Sequence, residues 1–307
     1  MAAITAAAVN ELRQATGCGL MDCKKALVEC EGDMDKAVTY LREKGLASQA
    51  KKATRIAAEG MAYAYVCPEC GIGSVVEVNC ESDFVAGNDL FKDFVSGIAA
   101  VVAKSNPADV DALMECPWIT GNGTVADAKN ELFLSVRENM NVRRFARIDS
   151  GVCIPYVHMK GKVAVLVNLE TAAPAEAVTE LGKDIAMQIC ALNPSYLDQS
   201  EVPASFIEKE KEIRIATAKQ DPKNASKPDA ILEKIVMGGI NKMYKEICLL
   251  QQPFVKDDKV SVEQHVAAVA KELGTPIKVV SFTRFEKGEG IEKKQEDYAA
   301  EIAKLVK

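Results

Sequence analysis

The chain repeats itself once, and a repeat of this kind admits few architectures. In the first copy, Tyr65-Val66 is followed by Gly73, the run Val76-Glu77-Val78-Asn79, and an apolar stretch through Ile98-Ala99 that ends at Asn106-Pro107. In the second, Tyr156-Val157 is followed by Gly161, Val165-Leu166-Val167-Asn168, and a stretch through Ile185-Ala186 that ends at Asn193-Pro194. Matched spacing marks one supersecondary unit used twice. Each copy reads as a β-hairpin followed by a helix, with alternating strands that leave one sheet face for the helix to cover. The expected fold class is therefore α+β, with a duplicated core of antiparallel hairpin sheets. At 307 residues the chain is long enough for this core and further domains.

The core is flanked by helical segments. Thr5 can cap a first helix, with Ile4 before the cap and Val9 inside it as a staple and Ala8, Leu12 and Ala15 continuing the apolar stripe. Gly17-Cys18-Gly19 ends that helix. A second runs from about Leu20 to Cys30 and stops at Gly32; Asp33 caps a third that presents Ala37, Val38 and Leu41 before Gly45 ends it. This compact three-helix domain and its linker occupy 1–55, with nine basic and seven acidic side chains, and with Lys51, Lys52 and Arg55 grouped on the linker as a solvated face. The first core subdomain is expected over 56–149, the second over 150–204 and 253–289. Between the two parts of the second, over 205–252, a charge-rich run from Phe206 to Arg214 and an apolar seam of Ile231, Ile235, Ile240, Met243 and Ile247, interrupted by Gly238-Gly239, suggest an inserted antiparallel helical hairpin. A helix near Val262 to Leu273, a strand from Ile277 to Phe285 and a C-terminal helical module over 290–307 complete the chain.

Composition excludes several classes of function. The net charge is −6, with 38 basic against 44 acidic residues, which argues against direct binding of nucleic acid or anionic membranes. The longest uncharged apolar stretch, Phe94 to Ala103, is far short of the roughly 20 residues a membrane helix needs, and no signal-peptide pattern opens the chain, so a cytoplasmic location is expected. The ten cysteines are spread thinly and read as free thiols, with Cys23 and Cys30 packed beside Ala26 and Leu27. Cys67-Pro-Glu-Cys70 has the spacing of half a zinc knuckle, but only Cys80 is near it in sequence, and a tight hairpin turn holding two thiols is the simpler reading. There are two histidines, His158 and His265, and no nucleophile elbow, phosphate-binding loop or dinucleotide fingerprint. No cofactor, no metal and no bond chemistry are expected.

What remains is a loop. The strand-like run Gly73 to Asn79 gives way to a helix whose apolar positions are Leu90, Phe91, Phe94, Val95, Ile98, Val101 and Val102, capped by Asn88 or Asp89. Asp83 and Phe84 sit on the connection. An aromatic there either turns inward to staple the following helix or projects as a wedge into another protein, and spacing alone favours the inward reading.

The segment Leu12-Arg13-x-x-Thr16-Gly17-x-Gly19-x-Met21-Asp22-Cys23-Lys24-Lys25-Ala26-Leu27, the segment from Asn79 to Val85, Glu138-Asn139-Met140-Asn141-Val142-Arg143-Arg144, and Arg284-Phe285-Glu286-x-Gly288-Glu289-Gly290-Ile291-Glu292 together resemble the elongation factor Ts family. The resemblance runs end to end. It implies an exchange factor that binds elongation factor Tu, the GTPase that delivers aminoacyl-tRNA, and promotes GDP release. It also implies that the three-helix domain is UBA-like, that the inserted hairpin is a coiled coil, and that a homodimer or 2:2 complex is an available assembly. The family's wedge motif reads Ser82-Asp83-Phe84-Val85 here. By similarity, Phe84 enters between helices of the GTPase domain while Asp83 acts beside it on the elements that hold Mg²⁺ and the β-phosphate. Arg13, Leu20 and Met21 match partner-contacting positions of the N-terminal domain, and Val136 and His158 match such positions of the core. Gln188 stands where a histidine is frequent and inherits no role. The rival reading is a non-catalytic helical adaptor that binds another protein through the three-helix domain; an enzyme using the Cys67–Cys70 pair comes third.

Overall fold

A computed structural model describes residues 4–121, 123–220 and 228–292. The expected C-terminal helix and the tip of the helical hairpin lie outside these residues. The fold is α+β, built on two small antiparallel sheets. The first has the order β1–β2–β3, from β1 (Glu59–Val66), β2 (Gly73–Cys80) and β3 (Met140–Ile148). The second has the order β4–β5–β8, from β4 (Val152–His158), β5 (Val163–Thr171) and β8 (Ile277–Glu286).

The duplication survives as structure. Tyr156 faces Val165 across the second hairpin, and the residue facing Val76 in the first is Tyr63, so the register partner of Tyr156 is Tyr63 rather than Tyr65. Each hairpin is followed by a long helix: α5 (Asp89–Ser105) ends on left-handed Asn106, and α8 (Ala175–Leu192) on left-handed Asn193. Both sheet faces are covered, not one. Val76, Val78 and Cys80 face α5 with Phe91, Phe94, Val95 and Ile98, while Val163, Val165, Val167 and Leu169 face α8 and α11 (Val262–Leu273). The other faces meet each other where small residues of the first sheet, Ala62, Ala64 and Val75, lie against Ala164, Leu166 and Phe285 of the second. Sheets approach this closely only where side chains are short: a Cβ on Gly73 would stand 2.9 Å from Cys153 and Leu166. Central strands buried on both faces read as near-continuous apolar runs, and β2 is buried throughout.

One charge is buried between the sheets. Glu77, fully buried, accepts from Arg143 Nη1 at 3.0 Å, Arg144 Nε at 2.6 Å, Asn79 Nδ2 at 3.1 Å and the Gly288 amide at 2.7 Å. These contacts tie β2, β3 and the loop after β8 into one unit, and a carboxylate this deeply buried depends on such donors.

The N-terminal helices α1 (Ala6–Thr16), α2 (Leu20–Glu29) and α3 (Met34–Lys52) enclose Val9, Leu12, Cys23, Ala26, Leu27, Ala37 and Leu41. Ala15 is exposed, outside the expected stripe. Gly45 does not end α3, which continues to Lys52. The glycine is instead a contact point, since a Cβ there would lie 2.3 Å from Leu134 Cδ2 on α7 (Val125–Val136). Short helices α4 (Asp83–Gly87) and α6 (Val110–Glu115) complete the first half.

The inserted helices α9 (Ala204–Gln220) and α10 (Asp229–Ile247) pack together through Val236, Ile240, Met243, Ile207 and Ile215. The Ile247 carbonyl accepts from Ser195 and Tyr196 just before α9, and Gly239 meets Arg214, so α10 runs back along α9. Ile240, Met243 and Ile247 pack as expected, but the first two positions of the seam are shifted by one residue. Leu232 and Val236 are buried, while Ile231 and Ile235 are exposed, and Gly238-Gly239 does not interrupt the helix. A small ribbon of β6 (Pro253–Phe254) and β7 (Asp257–Ser261) leads into α11. Gln188, buried on α8, holds this ribbon by donating to Gln252 and Pro253 and accepting from the Val255 amide at 2.8 Å.

Candidate functional site

Phe84 is 87% exposed. The inward reading of this aromatic is overturned, and the position is not a loose loop either: Asp83–Gly87 form a short helix with Ser82 as N-cap, its hydroxyl accepting from the Val85 amide at 3.3 Å. On so short a helix adjacent side chains diverge, and Val85 takes the inward place while Asp83 and Phe84 face solvent.

The cap is itself held. Glu138 accepts from the Ser82 amide at 2.9 Å and from its hydroxyl at 2.6 Å, one carboxylate oxygen each. Beside it, Glu81 accepts from the Asn139 amide at 2.6 Å and pairs with Arg55 at 3.4 Å, while the Asn139 side chain donates to the carbonyls of Ala53 and Arg55. Cys80 donates its thiol to the Ser82 carbonyl at 3.1 Å, and burial pushes that thiol up to about 12. A thiol so protonated is a packing group, not a nucleophile.

The same short segment holds the N-terminal helices. Arg137, left-handed at the end of α7, pairs with Asp22 in the first turn of α2, the Lys52 ammonium donates to the Arg137 carbonyl, and Gly17 lies over Ser135. Leu20 and Met21, 46% and 63% exposed, directly precede Asp22, which Arg137 holds, as Phe84 closely follows Ser82, which Glu138 holds. Val136 is half-buried against the core. Arg13 is exposed on the last turn of α1.

His158 ends β4, half-buried, with Nδ1 3.0 Å from the Tyr156 hydroxyl. The turn after it packs Gly161 on Met61 and Ala62, and the Lys162 carbonyl accepts from Lys287, whose ammonium pairs with Glu59. His158 thus belongs to the end of the sandwich that carries Glu59 and Cys80, where α4 begins. Exposed Met159 beside it, and exposed Leu90 in the first turn of α5, add apolar surface that periodicity does not single out. Glu138 is the residue that reasoning from spacing missed. A lone acid before a strand carries no periodic signal, and only its place in the Glu138-to-Arg144 segment points to it.

The other histidine and the cysteine pair stand apart. His265 stacks on Phe254 and lies 3.3 Å from Asp184. Cys67 and Cys70 occupy the turn between β1 and β2, a strand length of about 23 Å from Cys80, which removes Cys80 as a further ligand. Among the described residues no group of three or more His, Cys, Asp or Glu is placed to hold a metal ion, and no helix is long and apolar enough to cross a membrane.

Fold and site together define a multi-part α+β protein that carries exposed apolar side chains, Phe84 foremost, on an anchored short helix. A family profile described as elongation factor TS matches residues 81–289. Elongation factor Ts of Clostridium perfringens strain SM101 is 48% identical over 304 residues, covering 98% of this chain and 99% of the relative. Those of Clostridium tetani, 47% over 304 residues with the same coverage, and Clostridium kluyveri, 45% over 306 residues and 99% of each chain, are similar over the same extent. The chain belongs to the elongation factor Ts family.

Proposed function

We propose that this protein binds elongation factor Tu in its GDP form and promotes release of the nucleotide, without bond chemistry of its own. The observation that carries the reading is Phe84, an exposed aromatic on a helix whose cap is clamped by Glu138. Because the backbone beneath the ring is already held, seating the ring in a partner costs little backbone ordering. Phe84 parts helices of the GTPase domain; Asp83 next to it disturbs the elements that hold Mg²⁺ and the β-phosphate, and loss of the metal bridge loosens GDP. Arg13, Leu20 and Met21 dock from the N-terminal side, Val136 and His158 line the core side of the contact, and Ser82 as cap and Val85 as inward anchor hold the Phe84 helix in place.

In this reading 1–55 is a UBA-like docking domain, 56–149 and 150–204 with 253–289 are the two core subdomains, 205–252 is a coiled-coil arm, and 290–307 is a C-terminal helical module. The protein works in the cytoplasm and contacts neither nucleic acid nor membrane directly. If the factor weakens GDP binding by some ratio, GDP weakens factor binding by the same ratio, so exchange follows nucleotide concentration. The test loads elongation factor Tu with fluorescent GDP and follows its release. The intact chain should accelerate release, and Phe84→Ala should slow it severely even at concentrations that saturate the complex. Wild-type acceleration by that variant would refute the wedge.

A further inference from the structure

The turn between β1 and β2 carries chemistry that nucleotide exchange leaves unused. Cys67 and Cys70 bracket Pro68-Glu69, and the turn is closed by the Gly71 amide donating to the Cys67 carbonyl at 2.8 Å and the Cys67 amide donating to the Ile72 carbonyl at 2.9 Å. An i-to-i+4 turn of this kind is a single helical turn, in which residues three apart are neighbours with Cβ atoms about 5–6 Å from each other. A disulfide spans about 4.4–6.8 Å between Cα atoms. The two side chains are close enough for each to shift the other's titration.

They are not equivalent. Cys67 is buried and donates its thiol to Glu69 Oε2 at 2.9 Å, whereas Cys70 is exposed. Lys104 lies 3.6 Å from the same Glu69 oxygen, and Tyr65 and Arg147 flank the pair. The contact with Cys70, and then that with Glu69, keeps the Cys67 thiol above its ordinary range, while proximity to Cys67 and then the Ile72 amide draw Cys70 below its own. Elsewhere burial raises the thiols of Cys23, Cys80, Cys153, Cys190 and Cys248. The turn therefore joins an accessible thiol that reacts first to a sheltered one within reach of it.

We infer that Cys67 and Cys70 form a redox-active dithiol that exchanges with low-molecular-weight disulfides and closes reversibly to a disulfide within the turn. In the first step the Cys70 thiolate attacks one sulfur of the small disulfide, forming a mixed disulfide and expelling one small thiolate. In the second, Cys67 loses its proton to solvent and attacks the Cys70 sulfur, forming the intramolecular bond and expelling the second small thiolate. The protein gives up two electrons and two protons, and the small disulfide becomes two thiols.

The test equilibrates the full chain with glutathione at a series of oxidised-to-reduced ratios, quenches in acid, and counts thiols after unfolding and alkylation. Free thiols should fall from ten to eight, both losses should map to the peptide containing Cys67 and Cys70, and excess reduced glutathione should restore them. Cys67→Ala should trap glutathione on Cys70. Cys70→Ser, at an exposed position that the fold tolerates, should keep Cys67 as a free thiol and abolish the paired loss. A pair that stays reduced at every ratio while another cysteine takes up glutathione would overturn the inference, as would a folded Cys67→Ala chain with no adduct at Cys70.

Discussion

Phe84 and Glu138 separate two ways of losing a contact surface. Phe84 touches little of its own protein, so Phe84→Ala should leave the melting temperature near that of the wild type, within about 0.5 kcal/mol in stability. A buried aromatic would cost about 3–5 kcal/mol. Its effect belongs to exchange alone, and Asp83→Ala should follow the same pattern more weakly, because an exposed charge contributes less than an aromatic anchor. Glu138→Ala should fail differently. It strips the acceptors from the Ser82 amide and hydroxyl, and lost hydrogen bonds to a charged group cost about 1.5–3 kcal/mol. Thermal melting should therefore drop, and GDP release should slow although Phe84 is present. Glu138→Gln retains one acceptor oxygen and should fall between. A Glu138→Ala chain that melts and exchanges like the wild type would show that the clamp is idle.

At the scale of elements, Gly45 shows why a correct local rule led to the wrong boundary. Glycine near the end of an apolar stripe signals a helix end, but here it is the point where α3 lies against Leu134. Helix propensity favours alanine over glycine by about 1 kcal/mol, while overpacking costs about 1–3 kcal/mol. Gly45→Ala should therefore destabilise the intact chain by about 1 kcal/mol. In a Leu134→Ala background the clash is gone and the same change should stabilise. Denaturation of the four proteins of this cycle measures the reversal, and an unchanged sign would mean that Leu134 yields freely. The same gap between local and tertiary signals explains what else was legible. The duplicated hairpin-and-helix units stand out in the sequence because β2, β5, α5 and α8 each carry their own period and cap. Strand β3 does not, since Arg143 and Arg144 find their partners far away in sequence, Glu77 on the neighbouring strand and, for Arg144, Glu289 after β8. Only the first two positions of the α10 seam differ, because 231/235/240 and 232/236/240 are nearly equal in apolar content, and only packing against α9 chooses between them. At the site, Phe84 could be found from its neighbours in sequence, but its outward direction depends on Glu138, which lies 56 residues away.

The molecule as a whole is joined at the end of α7. Within five residues, Ser135 supports Gly17, Val136 packs on the core, Arg137 holds Asp22 and Lys52, Glu138 holds Ser82, and Asn139 holds Glu81 and the carbonyls of Ala53 and Arg55. The three N-terminal helices and the Phe84 helix are therefore fixed relative to each other, and if both meet one partner they meet it as a single preformed surface. A chain beginning at residue 56 should keep the sandwich, because the two sheets, α5 and α8 draw their core from later residues. It should melt at lower temperature, since Leu134 would lose its cover from α3. Its affinity for elongation factor Tu should fall steeply: interface anchors contribute about 2 kcal/mol or more each, roughly a 30-fold loss for the first removed. Met21→Ala in the full-length chain separates docking from support, because Met21 is 63% exposed and its truncation leaves the Asp22–Arg137 pair in place. Titration calorimetry should then show weaker binding by Met21→Ala with an unchanged melting curve. Full affinity in both the truncated chain and Met21→Ala would confine the contact to the core and leave the N-terminal helices with another task.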